Sequence, residues 1–154
     1  MNINRSKESN VVKIREMVTA DYDSVIALWC KTEGMSIRDA DSKESISSYL
    51  ERNPGLSFVA ESDKEIVGAV LVGTDGRRGY LQHLAVSAEC RGQRLGCKLV
   101  FEAVNSLATL GIPKTHLFVY NDNINAQQFY EKLGWFPRDE VRMYSFNSSS
   151  NSNV

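Results

Sequence analysis

Apolar positions along this chain switch between two-residue alternation and three-to-four-residue spacing, and each switch marks a new element. Val11 to Met17 (VVKIREM) sets Val12, Ile14 and Glu16 opposite Val11, Lys13 and Arg15, an imperfect alternation that predicts a first strand. Thr19 or Asp21 then caps a helix on which Val25, Ile26, Leu28 and Trp29 recur at helical spacing, and Gly34 stops it. Asp41 with Glu44 three residues later has the form of a capping box for a second helix carrying Ile46, Tyr49 and Leu50, which Asn53-Pro54-Gly55 ends.

Leu56 to Glu61 and Glu65 to Thr74 are β-rich runs separated by Ser62-Asp63-Lys64, which reads as an antiparallel hairpin. A turn at Asp75 to Gly79 leads to a third strand of the meander, Tyr80 to Val86 (YLQHLAV). From about Arg94 to Leu110, the residues Leu95, Leu99, Val100, Ala103, Val104 and Leu107 cover one helical face, terminated by Gly111 and Pro113. Thr115 to Tyr120 predicts another strand, Ala126, Phe129, Tyr130 and Leu133 a helix stopping at Gly134, and Val141 to Phe146 a closing strand. This order predicts a mixed sheet with helices on its faces.

Composition narrows the class. The chain has 154 residues, enough for one domain with its own core, and 42% apolar and 24% charged residues are ordinary for a globular protein. A net charge of −1, with no basic run beyond Arg77-Arg78, gives no general pull toward nucleic acid or anionic lipid. Cys30, Cys90 and Cys97 have neither disulfide arithmetic nor metal spacing, which predicts a cytoplasmic protein without a metal; Cys97 reads as a small helical hydrophobe. Residues 1–10 lack the apolar core of a signal peptide, and 147–154 is a run of Ser and Asn, so both are expected to be flexible flanks of a single domain over 11–146.

Chemistry enters at Arg91-Gly92-Gln93-Arg94-Leu95-Gly96. A strand running through a glycine-containing turn into a helix aims backbone N–H groups and the positive end of the helix dipole at one spot, which suits an anion. Gly92 and Gly96 can take dihedrals that other residues resist, and without side chains they let a pyrophosphate approach the backbone. Glycines at such junctions also serve plain chain reversal, and neither a Walker loop nor a dinucleotide fingerprint is present.

Leu84-Ala85-Val86 followed by Arg91-x-x-Arg94-x-Gly96 resembles motif A of the GNAT N-acetyltransferases, whose pattern is Arg/Gln-x-x-Gly-x-Gly/Ala. Asn123-x-x-Ala126-x-x-Phe129-Tyr130-Glu131-Lys132-Leu133-Gly134-Trp135 resembles their motif B. The joint match, with the right elements between the motifs, extends the resemblance over Val11 to Phe146. It implies an α/β fold with a mixed, mostly antiparallel twisted sheet of six to seven strands and about four helices, and transfer of acetyl from acetyl-CoA to a primary amine. The alternative is a catalytically weak CoA-binding sensor or interaction module on the same fold. A homodimer through the terminal strand is possible for such a fold, as is a monomer.

The resemblance also assigns residues. Acetyl-CoA would contact Leu84, Ala85 and Val86, the turn Arg91, Gly92, Gln93, Arg94, Leu95 and Gly96, and Asn123, Ala126 and Tyr130. A bulge in the Tyr80–Val86 strand would free N–H groups for pantetheine and for the carbonyl oxygen on which charge develops. Tyr130 matches the tyrosine that protonates the departing thiolate, and Asn123 a cofactor-contacting asparagine whose plainer reading is a helix cap. Arg94 stands where the family has glycine, and avoidance of positive φ predicts an ordinary helical conformation for it. His83 is the candidate general base by its intrinsic pKa, with Tyr80 and Gln82 expected to face the opposite way along the strand, while Trp29, Glu33, Tyr80 and Tyr120 are candidate acceptor contacts.

Overall fold

The computed structural model describes residues 11–154; the expected N-terminal flank, 1–10, lies outside them. Five strands form one sheet in sequence order: β1 Lys13–Glu16, β2 Phe58–Ser62, β3 Glu65–Thr74, β4 Gly79–Val86 and β5 Thr115–His116. Neighbours from β1 to β4 are antiparallel, and β4 with β5 is parallel. Four α-helices accompany it: α1 Tyr22–Cys30, α2 Lys43–Arg52, α3 Leu95–Thr109 and α4 Ile124–Lys132.

The β2–β3 hairpin turns on Asp63 and Lys64 alone, both at positive φ (48° and 63°), with Ser62 paired to Glu65. Positive φ at both central residues is the two-residue turn whose twist matches that of the flanking strands. Alternation along the strands then sends side chains to two separate cores. On one face Val70, Val72 and Leu81 meet Leu95, Leu99, Val100, Ala103 and Leu107 of α3, with Phe129 and Tyr130 of α4 packed alongside. On the other, Val59, Ala69, Leu71 and Ala85 meet Val25, Leu28 and Trp29 of α1 and Ile46 of α2.

Three expectations change. Ser42, not Asp41, caps α2, its Oγ accepting the Ser45 N–H at 3.2 Å, because Asp41 is already engaged in the preceding 3-10 turn Asp39–Asp41. Val104, placed by spacing on the buried face of α3, is 37% exposed at the edge of that stripe. The sheet has five strands among the described residues rather than six or seven: Val141 to Phe146 forms no strand, and Val141, Met143, Tyr144 and Phe146 are all exposed. Alternation alone does not make a strand, because the ladder needs a partner for its N–H and C=O groups. The polar tail beyond it meets Asp39, whose carboxylate accepts from Asn151 Nδ2 and Asn153 Nδ2 at 2.6 and 2.7 Å.

Candidate active site

The site is built around an interruption in β4. Ala69 pairs with Ala85 and Leu71 with Gln82, so the single residue Val70 lies opposite both His83 and Leu84. His83 absorbs the extra residue at φ 51°, a β-bulge whose bulged position is left-handed. Histidine enters that region more readily than branched residues do. The bulge reverses the expected facing: His83 stacks on Trp29, on the α1/α2 face. Tyr80 lies on the same face, since its partner Gly73 points its Cα at Tyr49 of α2. Gln82 follows, paired with Leu71 of the same core. Strict alternation would have sent His83 to the α3 face.

Beside the bulge the sheet opens. β4 and β5 pair only at Gly79–Thr115 and Tyr80–His116, and the chain from Leu117 to Tyr120 leaves the sheet. The rest of β4, including Leu84, Ala85 and Val86, therefore has no strand partner on that side among the described residues. Leu84 and Val86 pack their side chains on the α3 core and Ala85 on the α1/α2 core, which leaves backbone groups as what this segment presents to the cleft.

The glycine-containing turn follows β4 through a short 3-10 turn, Ala88–Cys90. Gly92 sits at φ 84° with nothing within 4 Å of the place a Cβ would occupy. Arg94 is the N-cap residue of α3 at φ 58° and ψ 25°, which overturns the expected helical conformation: it adopts the left-handed geometry of the glycine it replaces, at a steric cost. The Arg94 side chain does not cap the start of α3, so among the described residues its first N–H groups stay available. Arg91, Gly92, Gln93 and Arg94 are exposed, while Leu95 is buried and anchors the helix start. Gly96 has ordinary φ; its missing side chain instead admits the Phe129 ring, 3.2 Å from the position a Cβ would take.

α4 closes the cleft from the α3 side. Asn123 caps it, Oδ1 accepting the Ala126 N–H at 3.2 Å, and its Nδ2 lies against Gly34 of the segment after α1. Tyr130 is packed edge-on between Phe129 and Trp135, at 5.1 and 5.7 Å between ring centroids, and burial pushes its phenol up to about 12. Tyr120 reaches the same segment after α1, its hydroxyl 3.1 Å from Ser36 Oγ, and exposed Glu33 is next to Gly34. Tyr120 and Asn123 thus both reach the segment that carries Glu33. Tyr80 lies farther off, beside His116 at 6.0 Å. Trp29, expected at the acceptor, is fully buried, and a side chain without exposed surface cannot touch an incoming amine; it supports His83 instead.

One pairing was not anticipated at the site. Asp41, read as a helix cap, places Oδ1 2.8 Å from His83 Nε2. The two are 42 residues apart, and no local sequence pattern records such a pairing. No group of three or more His, Cys, Asp or Glu suited to a metal occurs among the described residues, and none of their helices is long and apolar enough to cross a membrane.

The mixed sheet with its flanking helices has the fold of solved acetyltransferases. The chain is similar to the PaiA N-acetyltransferase of Thermoplasma acidophilum, solved with coenzyme A, at a TM-score of 0.76 and 21% identity over 84% of this chain and 92% of that one. It is also similar to the aminoglycoside N-acetyltransferase AAC(6')-Iy, solved with CoA, at a TM-score of 0.72 and 15% identity over 92% and 98%. Residues 21–135 match the model of the acetyltransferase (GNAT) family. An acetyltransferase of Pectobacterium atrosepticum is 35% identical over 122 residues, 79% of this chain and 86% of the relative. One of Sodalis glossinidius is 32% identical over 130 residues, 84% and 91%. The chain belongs to the GNAT acetyltransferase family, and is an acyl-CoA-dependent N-acetyltransferase whose cosubstrate is acetyl-CoA.

Proposed function

We propose that the enzyme transfers acetyl from acetyl-CoA to a primary amine by direct attack on the thioester in the gap between β4 and β5, with the pyrophosphate on the turn Arg91 to Gly96. The observation that carries this reading is the bulge at His83, which puts the two candidate proton-handling groups on opposite faces of the open edge of β4: His83 on the α1/α2 face and Tyr130 on the α3/α4 face. A thioester threaded through the gap would meet its nucleophile from one side and release its thiolate toward the other. Glu33 and Tyr120 would line the acceptor's entry, and Arg91, Arg94 and Lys98 add positive charge at the phosphate end.

His83 removes the proton from the attacking ammonium, which at a lysine-like pKa near 10 is mostly charged at neutral pH. Free N–H groups of β4 face the oxygen on which charge develops. Tyr130 acts by a narrower route than full proton transfer. Its phenol, pushed up to about 12 by burial, is a weaker acid than a thiol of ordinary pKa about 8.5, so handing over the proton is uphill. A hydrogen bond donated to the developing thiolate stabilises the leaving group without that cost.

A thiol-release assay across small amines and peptides, with calorimetric titration of acetyl-CoA, tests the reading. Tyr130→Phe should lower kcat about 10- to 100-fold, the worth of one hydrogen bond to a charged group, with acetyl-CoA affinity unchanged. Full activity of that variant on the best acceptor removes Tyr130 from the mechanism. Acetyl-CoA binding without turnover on any amine would leave cofactor binding alone.

A further inference from the structure

We infer that Asp41 is a positioning residue that holds His83 as its Nε2–H tautomer, so that Nδ1 is the atom that accepts the acceptor's proton. The inference rests on the reading of His83 as the base and adds to it the atom and the partner. An ionised carboxylate only accepts hydrogen bonds, so the 2.8 Å contact between Asp41 Oδ1 and His83 Nε2 requires the imidazole to donate from Nε2. A neutral imidazole carries one N–H, and Nδ1 is left with its lone pair free.

The carboxylate is itself immobilised. Asp41 is 6% exposed, its Oδ2 accepts the Arg38 N–H at 3.0 Å, and its backbone carbonyl accepts the Tyr22 hydroxyl at 2.7 Å. The two carboxylate oxygens therefore do separate work, one closing the 3-10 turn and one on the imidazole. From below, the fully buried Trp29 ring lies 4.8 Å from His83 at a tilt of 53°. The bulge fixes the backbone at φ 51°. Backbone, aromatic ring and carboxylate thus hold the imidazole from three sides, which is the preorganisation that proton transfer rewards.

Charge bookkeeping supports the same role. The ammonium gives one proton to Nδ1, its N–H pair becoming the lone pair that bonds to the acetyl carbon as the C–S pair leaves on sulfur; the second proton that the nitrogen sheds goes to the thiolate or to water. The imidazolium so formed faces the Asp41 carboxylate, an attraction absent before transfer, so it lowers the barrier rather than merely tightening binding. Two of the groups that touch the pair, the Trp29 ring against the imidazole and the Tyr22 hydroxyl on the Asp41 carbonyl, are uncharged.

The first test needs no variant. Nitrogen-15 NMR of the wild-type protein, with the ring nitrogens correlated to the ring protons above the histidine pKa, should show His83 as the Nε2–H tautomer. A predominant Nδ1–H tautomer overturns the inference. Kinetics with the best acceptor supply the second. Asp41→Asn should lower kcat about 10- to 100-fold with KM for acetyl-CoA unchanged. In the same variant the His83 ring should lose its strict Nε2–H preference in the nitrogen-15 spectrum, because an amide can present either its oxygen or its NH2 to Nε2. A purely structural role for Asp41 would leave the tautomer in place. If His83→Gln abolishes turnover while Asp41→Asn keeps the wild-type rate and tautomer, Asp41 is not a positioning residue although the base stands; full activity of His83→Gln sinks the base itself.

Discussion

The two faces of the sheet are built from different materials. Against α3, the buried cluster is a continuous apolar slab running from Leu95 through Leu107, and its helix starts at the glycine-containing turn. Across the sheet, the α1/α2 layer contains the buried carboxylates Asp21 and Asp41 and the buried amide of Asn53, each held by hydrogen bonds, as well as Trp29, whose Nε1 has none among the described residues. Burying polar groups costs stability unless each is paired. The difference teaches that the α3 face anchors the glycine-containing turn mechanically, whereas the other face accepts a costlier core that includes the Asp41 carboxylate at the bulge.

If the α3 face supplies mechanical anchoring, truncating its centre should have the largest effect on stability. Leu99 is fully buried, and Leu99→Ala should cost about 3 kcal/mol, read as a lower urea midpoint with unchanged slope. A loss below about 1 kcal/mol would break the comparison, because the slab would then be collapsing around the missing side chain instead of bearing load.

A polar substitution on the other face should cost less and should depend on pH. Asp21 receives Arg15 through both terminal guanidinium nitrogens at 2.9 Å and also accepts the Val18 N–H at 2.9 Å. Burial by itself would raise its carboxyl, but the hydrogen bonds from Arg15 and Val18 and the Arg15 charge bring it below the ordinary range. A carboxyl lowered by folding stabilises the native state above its unfolded value of about 3.9, and that contribution is lost as pH falls through the folded value. Asp21→Asn should therefore cost about 1–3 kcal/mol at pH 7, with the gap to wild type narrowing below about pH 4 in parallel denaturation series. A pH-independent gap would mean that the hydrogen-bonding shape, and not the charge, is what Arg15 needs.

The same division governs what the sequence revealed. The α3 face was legible because Leu95, Leu99, Val100, Ala103 and Leu107 follow a helical period and burial respects it. The hairpin at Asp63-Lys64 was legible because turn chemistry is local. The α1/α2 face was not, because its defining contacts join distant residues: Asp41 to His83, and Tyr120 to Ser36. The facing of His83 was missed for a related reason, since a period-two reading assumes an unbroken ladder and one extra residue shifts every side chain after it. The closing strand at Val141 to Phe146 failed in the opposite sense: the local pattern is there, and the neighbour that would complete it is not.

The smallest expected effect lies at Arg94, where the α3 slab meets the glycine-containing turn. Its backbone at φ 58° is one that a side chain with a Cβ adopts at a cost of about 1–2 kcal/mol, while glycine there adds back unfolded-chain entropy worth about 0.4–1 kcal/mol. Arg94→Gly should therefore raise stability by about 0.5–1 kcal/mol in a thermal melt. The effect on the cofactor separates backbone from side chain. The uncapped N–H groups at the start of α3 survive the substitution, so if they hold the pyrophosphate, acetyl-CoA should bind at least as tightly in calorimetry. A tenfold or greater loss of affinity, together with the gain in melting temperature, would show that the exposed guanidinium itself grips a phosphate, and that the strain is retained at this turn for the sake of the ligand.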